Sequence, residues 1–422
     1  MSKKLKFKVL PVLFGAAVIL LVAIIMLIVI ISGGNERVKN GKDTAITSND
    51  KINYIKQIIP DGEMKGIWIA SVGNINYPSQ KGLSADMLRN ELDAIVAMCK
   101  ENSLNTILFQ VRPCSDALYS SSVFPSSVYV SGKQGIKPEG DFDSLEYLVN
   151  KAHENGIIVF AWVNPLRVTT SENTVLSPDN PASLHPEWCI SYGDKVYYDP
   201  ALPEVQALIS KGVCEIVSGY SVDGIVFDDY FYPYPIDGIE FDDSASYSLY
   251  GKGKDKDEWR RSNINSIIKS CYKEIKKQRK DCLFGVSPFG IWSNDNGVNG
   301  GSNTRGLSAY SEIFCDALSW IDGGYIDFIS PQIYWDFNSV AAPYAELVDW
   351  WKEKTENSGV ALFISHGAYK ASEWNPEEIT RQIEYAKEKK CDGSIFYGYS
   401  AITSNENGVL DAIASAYDES NN

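Results

Sequence analysis

Histidine is scarce in this chain: His153, His185 and His366 are the only three among 422 residues, at unrelated positions. A histidine-rich zinc site is therefore not expected. Nucleophilic serine or cysteine chemistry needs a histidine partner, and only His366 stands where it could serve. There is no G-x-S-x-G, no Walker loop, no G-x-G-x-x-G after a strand and no H-E-x-x-H, which removes the common esterase, nucleotide and zinc-protease signatures. The eight cysteines form no C-x-x-C pair, and Cys99, Cys214 and Cys271 fall within predicted helices, so most read as small buried apolar residues, with a disulfide or two left open. No cofactor and no bound metal are expected. Positive charge is short as well, 39 Lys and Arg against 54 Asp and Glu.

Long hydrophobic runs are absent except for one. Val9 to Ile31 contains no charged residue and follows Lys3, Lys4, Lys6 and Lys8. Its length fits a bilayer and exceeds the apolar core of a cleaved signal peptide, so residues 9–32 are expected as a transmembrane signal anchor. The basic segment 1–8 then stays in the cytoplasm and the remainder lies outside the cell. Removing those four lysines from the net −15 leaves about −19 on the external part, a balance that argues against nucleic acid as a partner. A neutral or weakly charged substrate fits better.

Residues 33–63 are polar with scattered turn formers and read as a stalk. From residue 64 to 418 short β-branched or aromatic runs alternate with amphipathic stretches, leaving 419–422 as a tail. The runs expected as strands are 66–71, 105–111, 157–163, 224–228, 283–287, 325–330, 360–365 and 393–398. Helices are expected near 84–101, 143–155, 204–219, 257–279, 308–320, 342–357, 375–389 and 406–418. Near-continuous hydrophobic strands separated by helices indicate a parallel sheet covered on both sides. Eight such units predict an α/β fold, a (β/α)8 TIM barrel with enlarged βα loops preceded by one transmembrane helix. A doubly wound open sheet is the alternative that periodicity alone leaves.

A barrel places chemistry where strands end and βα loops begin, and the chemically capable residues cluster there. In DGIVFDDYFYPYP (223–235), Val226 and Asp228 share one strand face while Ile225 and Phe227 share the other, so Asp228 is expected to point into the barrel mouth. Asp229 reaches the cleft only if the backbone turns; otherwise both cap the loop. Glycosidic hydrolysis needs two carboxyl groups, and Asp336 in QIYWDF is the expected second, with Asp116 next and a turn cap or a salt bridge to Arg112 as their structural readings. Trp162, Tyr230, Tyr232, Trp292, Tyr334 and Trp335 follow the strands, where such rings could stack on sugars. Arg112, Asn164, Gln332 and His366 supply donors at the same rim.

RPCSDALY, FAWVNPLR, DGIVFDDYFYPYP, DEWRRSNIN, GVSPFGIW and SPQIYWDF together resemble the bacterial glycosyl-hydrolase-like family 10 proteins, the DUF187 or YngK-like group, across about residues 64–416. The resemblance implies a TIM-barrel glycosidase, exported or membrane-attached and in several cases linked to the cell wall. It carries over Asp228 and Asp229, Arg112 and Asp116, Asn164 and Arg167, and Gln332 with Tyr334. Many members are lipoproteins, whereas this chain carries a spanning segment. Cys114-Ser115 also departs from the more usual small or acidic pair ahead of Asp116. Related chitinase-like barrels carry DG-x-D-x-D-x-E; aligned on Asp223-Gly224, this chain has Tyr230 where their catalytic Glu stands, so that mechanism does not transfer. The expected function is a membrane-anchored extracellular glycosidase cleaving cell-wall glycan, most of all peptidoglycan strands. A non-catalytic glycan-binding barrel for wall organisation or adhesion is the alternative.

Overall fold

The computed structural model describes residues 47–295 and 300–418. The expected anchor, residues 9–32, and the tail lie outside the described residues. Among the described residues no helix is long and apolar enough to cross a membrane.

Eight parallel strand positions form the sheet: β1 (Met64–Ile69), β2 (Thr106–Arg112), β3 (Ile158–Val163), β4 (Gly224–Phe227), β5 (Leu283–Val286), β6 in two pieces (Phe328–Ile329 and Gln332–Ile333), β7 (Ala361–His366) and β8 (Gly393–Phe396). Each pairs with its neighbour, β8 pairs with β1, and both pieces of β6 pair with β7, so the sheet closes into a barrel. Closure removes the open-sheet alternative, because no edge strand remains.

The two faces of the strands fill different layers. Outward residues such as Ile67, Ile107, Val159, Ile225, Phe284 and Ile364 pack under the helices in one large core. Inward residues, among them Met64, Leu108, Phe160, Val226, Phe328 and Phe363, form a separate interior core. Phe328 stacks at a tilt between Phe160 and Phe363, with centroids 5.3 Å from each. Gly285 makes this possible, since a Cβ there would lie 2.4 Å from the Phe328 ring. Large rings opposite glycines pack a barrel interior in layers.

Most expected helices fall where amphipathic periodicity places them; short ones that it does not place, Val128–Ser131, Pro181–Leu184, Ser244–Tyr250 and Tyr399–Thr403, sit in the loops, and two further stretches depart from expectation. The stretch expected as one helix over 308–320 forms Ala309–Glu312 and Ala317–Asp322. Between them Phe314 adopts φ 54°, and the side chain of Asp316 caps the second piece by accepting from the Ser319 amide. Within the polar stretch 33–63, Ser48–Ile58 forms a helix started by a Thr47/Asp50 capping box. Its Ile55 and the following Ile59, each 2% exposed, join the interior core, and Lys56 pairs with Asp392 just before β8. The chain thus enters the domain at the end of the barrel from which the strands start. The loop after β3 adds a three-stranded antiparallel ribbon, Arg167–Thr169, Lys195–Tyr198 and Cys189–Tyr192. All eight cysteines are free thiols.

Candidate active site

At the C-terminal ends of the strands lies a cavity of about 370 Å³ whose floor holds Asp228 and Asp229. Asp228 follows the inward Val226 and points in as its parity requires. Asp229 turns in as well, because β4 ends at Phe227 and the chain begins to bend there. Both are 3% exposed.

Their surroundings differ. Asp228 Oδ2 accepts hydrogen bonds from Trp162 Nε1 at 2.9 Å and Asn164 Nδ2 at 3.2 Å. Among the described residues its Oδ1 has only the Tyr230 amide, at 3.4 Å. Burial pushes the Asp228 carboxyl up to about 7; Arg167 opposes that rise and the neighbouring charge of Asp229 adds to it. Asp229 is also raised by burial, but the Tyr234 hydroxyl and the Gln332 amide donate to it and pull it back toward ionisation. Both carboxyls are thus raised by burial, but Asp229 has donors that oppose its rise and its charge adds to that of Asp228, so Asp228 is the member of the pair that holds its proton longer, an ordering that acid–base chemistry can use.

The walls are aromatic. Trp68 and Trp162 meet edge to face at 5.0 Å on one side, and the Trp68 indole donates to Ser365 inside the barrel. Tyr334 and Tyr397 stack at 5.8 Å beyond the ends of β6 and β8, with Tyr369 edge-on to both. Phe289 and Trp335 form a third face, their rings perpendicular at 5.5 Å. Gly290 lets the β5 loop pass against β6, since a Cβ there would lie 2.4 Å from the Gln332 carbonyl. Such rings present flat apolar faces to sugar C–H groups and leave polar edges for hydroxyls.

Of the residues expected at the site, Asp228, Asp229, Trp162, Tyr230, Gln332, Tyr334 and Trp335 line this cavity. Asn164 and Arg167 lie behind it. Asn164 holds Asp228 and accepts from the Arg167 amide, while the Arg167 guanidinium donates to the Pro113 carbonyl and sits 5.0 Å from the Tyr230 ring.

The others lie elsewhere, each for a local reason. A β-bulge between Gln110 and Arg112 shifts the register against β3 and turns Arg112 to the outer face, where it covers Phe124 at 4.2 Å. Asp116 is fully buried in the β2 loop and accepts from the Val128 amide and Gln134, with no salt bridge to Arg112. Tyr232 points outward, its hydroxyl accepting from Asn263 between Phe241 and Phe314. Trp292 stacks on Trp350 away from the cavity. His366 shares the outward parity of Leu362 and Ile364, and its Nδ1 meets Gln382 Oε1 at 3.2 Å. Burial lowers its pKa to about 4, so it is neutral. Asp336 belongs to a turn, its carbonyl accepting from the Ser339 and Tyr344 amides, and its side chain does not line the cavity.

Trp68 and Tyr234, aromatics of the strand ends that sequence reasoning counts as able to stack on sugars, line the cavity as well, and Ser287, Phe289, Tyr369, Lys370 and Tyr397, which it did not single out, join them. Each stands within or just after a strand, so the strand ends themselves were the available signal. What they face is decided only when the barrel closes.

A family model described as Glycosyl hydrolase-like 10 matches residues 63–383. The chain is 38% identical over 366 residues to Glycosyl hydrolase YngK of Bacillus subtilis (strain 168), covering 84% of this chain and 71% of that protein. It is 37% identical over 329 residues to Glycosyl hydrolase DigH of Escherichia coli (strain K12), covering 74% of each. The solved PgaB (BpsB) glycoside hydrolase domain from Bordetella bronchiseptica shares the fold, with TM-score 0.57 at 13% identity over 84% of this chain and 98% of that domain. The barrel, its paired carboxylates and the matched span lead to one assignment: the chain belongs to the glycosyl hydrolase-like 10 family.

Proposed function

We propose that this protein is a glycosidase that cleaves O-glycosidic bonds in cell-wall glycan, peptidoglycan strands above all, and that residues 9–32 hold it in the membrane with the barrel outside the cell. The observation that carries the reading is the carboxylate pair on the floor of an aromatic cavity, with Asp228 held near neutral pH. Because Asp228 Oδ2 already accepts two hydrogen bonds, the proton of the neutral acid belongs on Oδ1. From there it passes to the glycosidic oxygen as the bond to the anomeric carbon breaks. Asp229, to which Tyr234 and Gln332 donate, is the member of the pair that ionises first; it counters the positive charge on the sugar ring and takes the proton of the incoming water. The named activities of the relatives support the reaction class, and the long apolar run with its basic flank supports the location. A chain that enters the barrel at the end opposite the cavity leaves the cavity free for a polymer.

The test is mass spectrometry of soluble products after the full chain, in detergent, is incubated with purified peptidoglycan beside an Asp228→Asn control. Sugar fragments from the wild type alone are expected. Glycan retained by the protein with no fragments in either sample would replace hydrolysis with the glycan-binding reading.

A further inference from the structure

Lys370 is the one cationic side chain lining the cavity among the described residues. It follows β7 in the sequence HGAYK and lies on the Tyr369 and Tyr397 side. Its Nζ donates to the Tyr334 carbonyl at 3.0 Å and lies 5.8 Å from the Tyr369 ring centroid. It forms no ion pair with any described carboxylate, and unlike the other unpaired lysines it lines the cavity. An ammonium has three donors. One is spent on the Tyr334 carbonyl and the Tyr369 ring faces the charge, leaving two donors and no carboxylate counter-charge inside a half-buried aromatic cleft.

We propose that Lys370 is a specificity-determining residue that receives a carboxylate carried by the sugar bound in the cavity. The inference rests on the glycan-directed reading above and deepens it. A neutral hydroxyl would satisfy a donor but leave the charge unmatched; a carboxylate satisfies both through a charge-assisted hydrogen bond. The charge of Asp229 repels that group, so the acidic substituent is directed to the Lys370 side and the scissile bond to the carboxyl pair. The Tyr334 carbonyl fixes the ammonium in place, which reduces the ordering cost of binding. The carboxylate has two chemical sources, the ether-linked acid of N-acetylmuramic acid and the ring carboxylate of a hexuronic acid.

Calorimetric titration separates recognition from turnover. The full chain in detergent, carrying Asp228→Asn, is titrated with an N-acetylglucosamine–N-acetylmuramic acid tetrasaccharide and its methyl ester, and with a glucuronate-containing tetrasaccharide and its methyl ester. For at least one pair, the free acid should bind about tenfold more tightly than the ester at low salt. Which pair shows the preference identifies the source. Lys370→Met should erase that preference by weakening the acid alone, and Lys370→Arg should keep part of it. Equal binding of acid and ester in both pairs, no binding of either acid, or an equal loss on acid and ester in Lys370→Met overturns the proposal. Hydrolysis by the wild type is read separately. A chain that prefers the acid but never cleaves it keeps the Lys370 assignment and loses the glycosidase, whereas one that cleaves acid and ester alike does the reverse.

Discussion

Replacing Asp228 with Asn should abolish turnover and at the same time make the protein more stable at alkaline pH. Burial raises this carboxyl from 3.8 to about 7 in the folded state, so the folded protein holds the proton more tightly than the unfolded chain does. The stability linked to that proton is complete below the unfolded value and is lost as pH rises through the folded one. Above pH 7, folding must place a charged carboxylate in a dry site. At about 1.4 kcal/mol per unit of displacement, the cost approaches about 4 kcal/mol as an upper bound. Asn has the same shape, carries no charge, and its carbonyl can still accept from Trp162 and Asn164. Its advantage over Asp should be about 1–2 kcal/mol at pH 5 and about 4 kcal/mol at pH 8.5. For a domain of this size the larger figure corresponds to a rise in Tm of about 5 °C. Scanning calorimetry of both proteins at the two pH values, paired with product analysis, measures both effects. A Tm difference independent of pH, or an Asn variant less stable at pH 8.5, would refute the claim that Asp228 sits neutral in the folded protein.

The remaining predictions separate residues that serve the chemistry from those that serve the fold. Tyr234→Phe removes the hydroxyl that helps to ionise Asp229, so the acid limb of kcat/KM should move to higher pH by about half a unit or more. Asp336→Asn should retain activity within about twofold, because its side chain lies off the cavity. His366→Leu should leave KM unchanged. The neutral, buried His366 contributes stability that is present above its unfolded value and lost as pH falls toward about 4, so the Leu variant should lose less Tm than wild type on acidification. Gly398→Ala should lower Tm sharply and weaken substrate binding. Gly398 has φ 125°, and a Cβ would lie 2.5 Å from the Tyr369 amide, a combination that costs about 2–4 kcal/mol and displaces the loop bearing Lys370.

How far this molecule could be read from its residues follows from the range over which each feature is decided. The eight strands were legible because parallel strands buried on both faces must be apolar along their length, and each helix carried its own 3.6-residue stripe. The helix Ser48–Ile58 was not, because it is polar except for isoleucines whose partners lie across the barrel's floor, so locally it looks like a linker. The same rule governs the site. Asp228 was legible from its parity with Val226, a property of four consecutive residues. Arg112 was placed at the rim by its position at the end of the second strand, and the bulge beside it, which leaves no mark in the sequence, turns it away. His366 also obeys parity, but it was judged by its place after a strand rather than by its match with Leu362 and Ile364, which puts it outside.

What no stretch of sequence could show is the difference between the two aspartates. They are adjacent in the chain and identical in chemistry. The difference in their surroundings depends on Trp162 and Asn164 from the end of β3 and on Gln332 from β6, residues more than sixty positions away on either side. Tyr234 completes the arrangement from only five residues on, and only because the β4 loop folds back. The sequence DD therefore specifies where a site can be, and the closed barrel specifies which carboxyl does what. A variant that preserves both aspartates but disturbs the β3 or β6 ends should change the pH profile before it changes the fold.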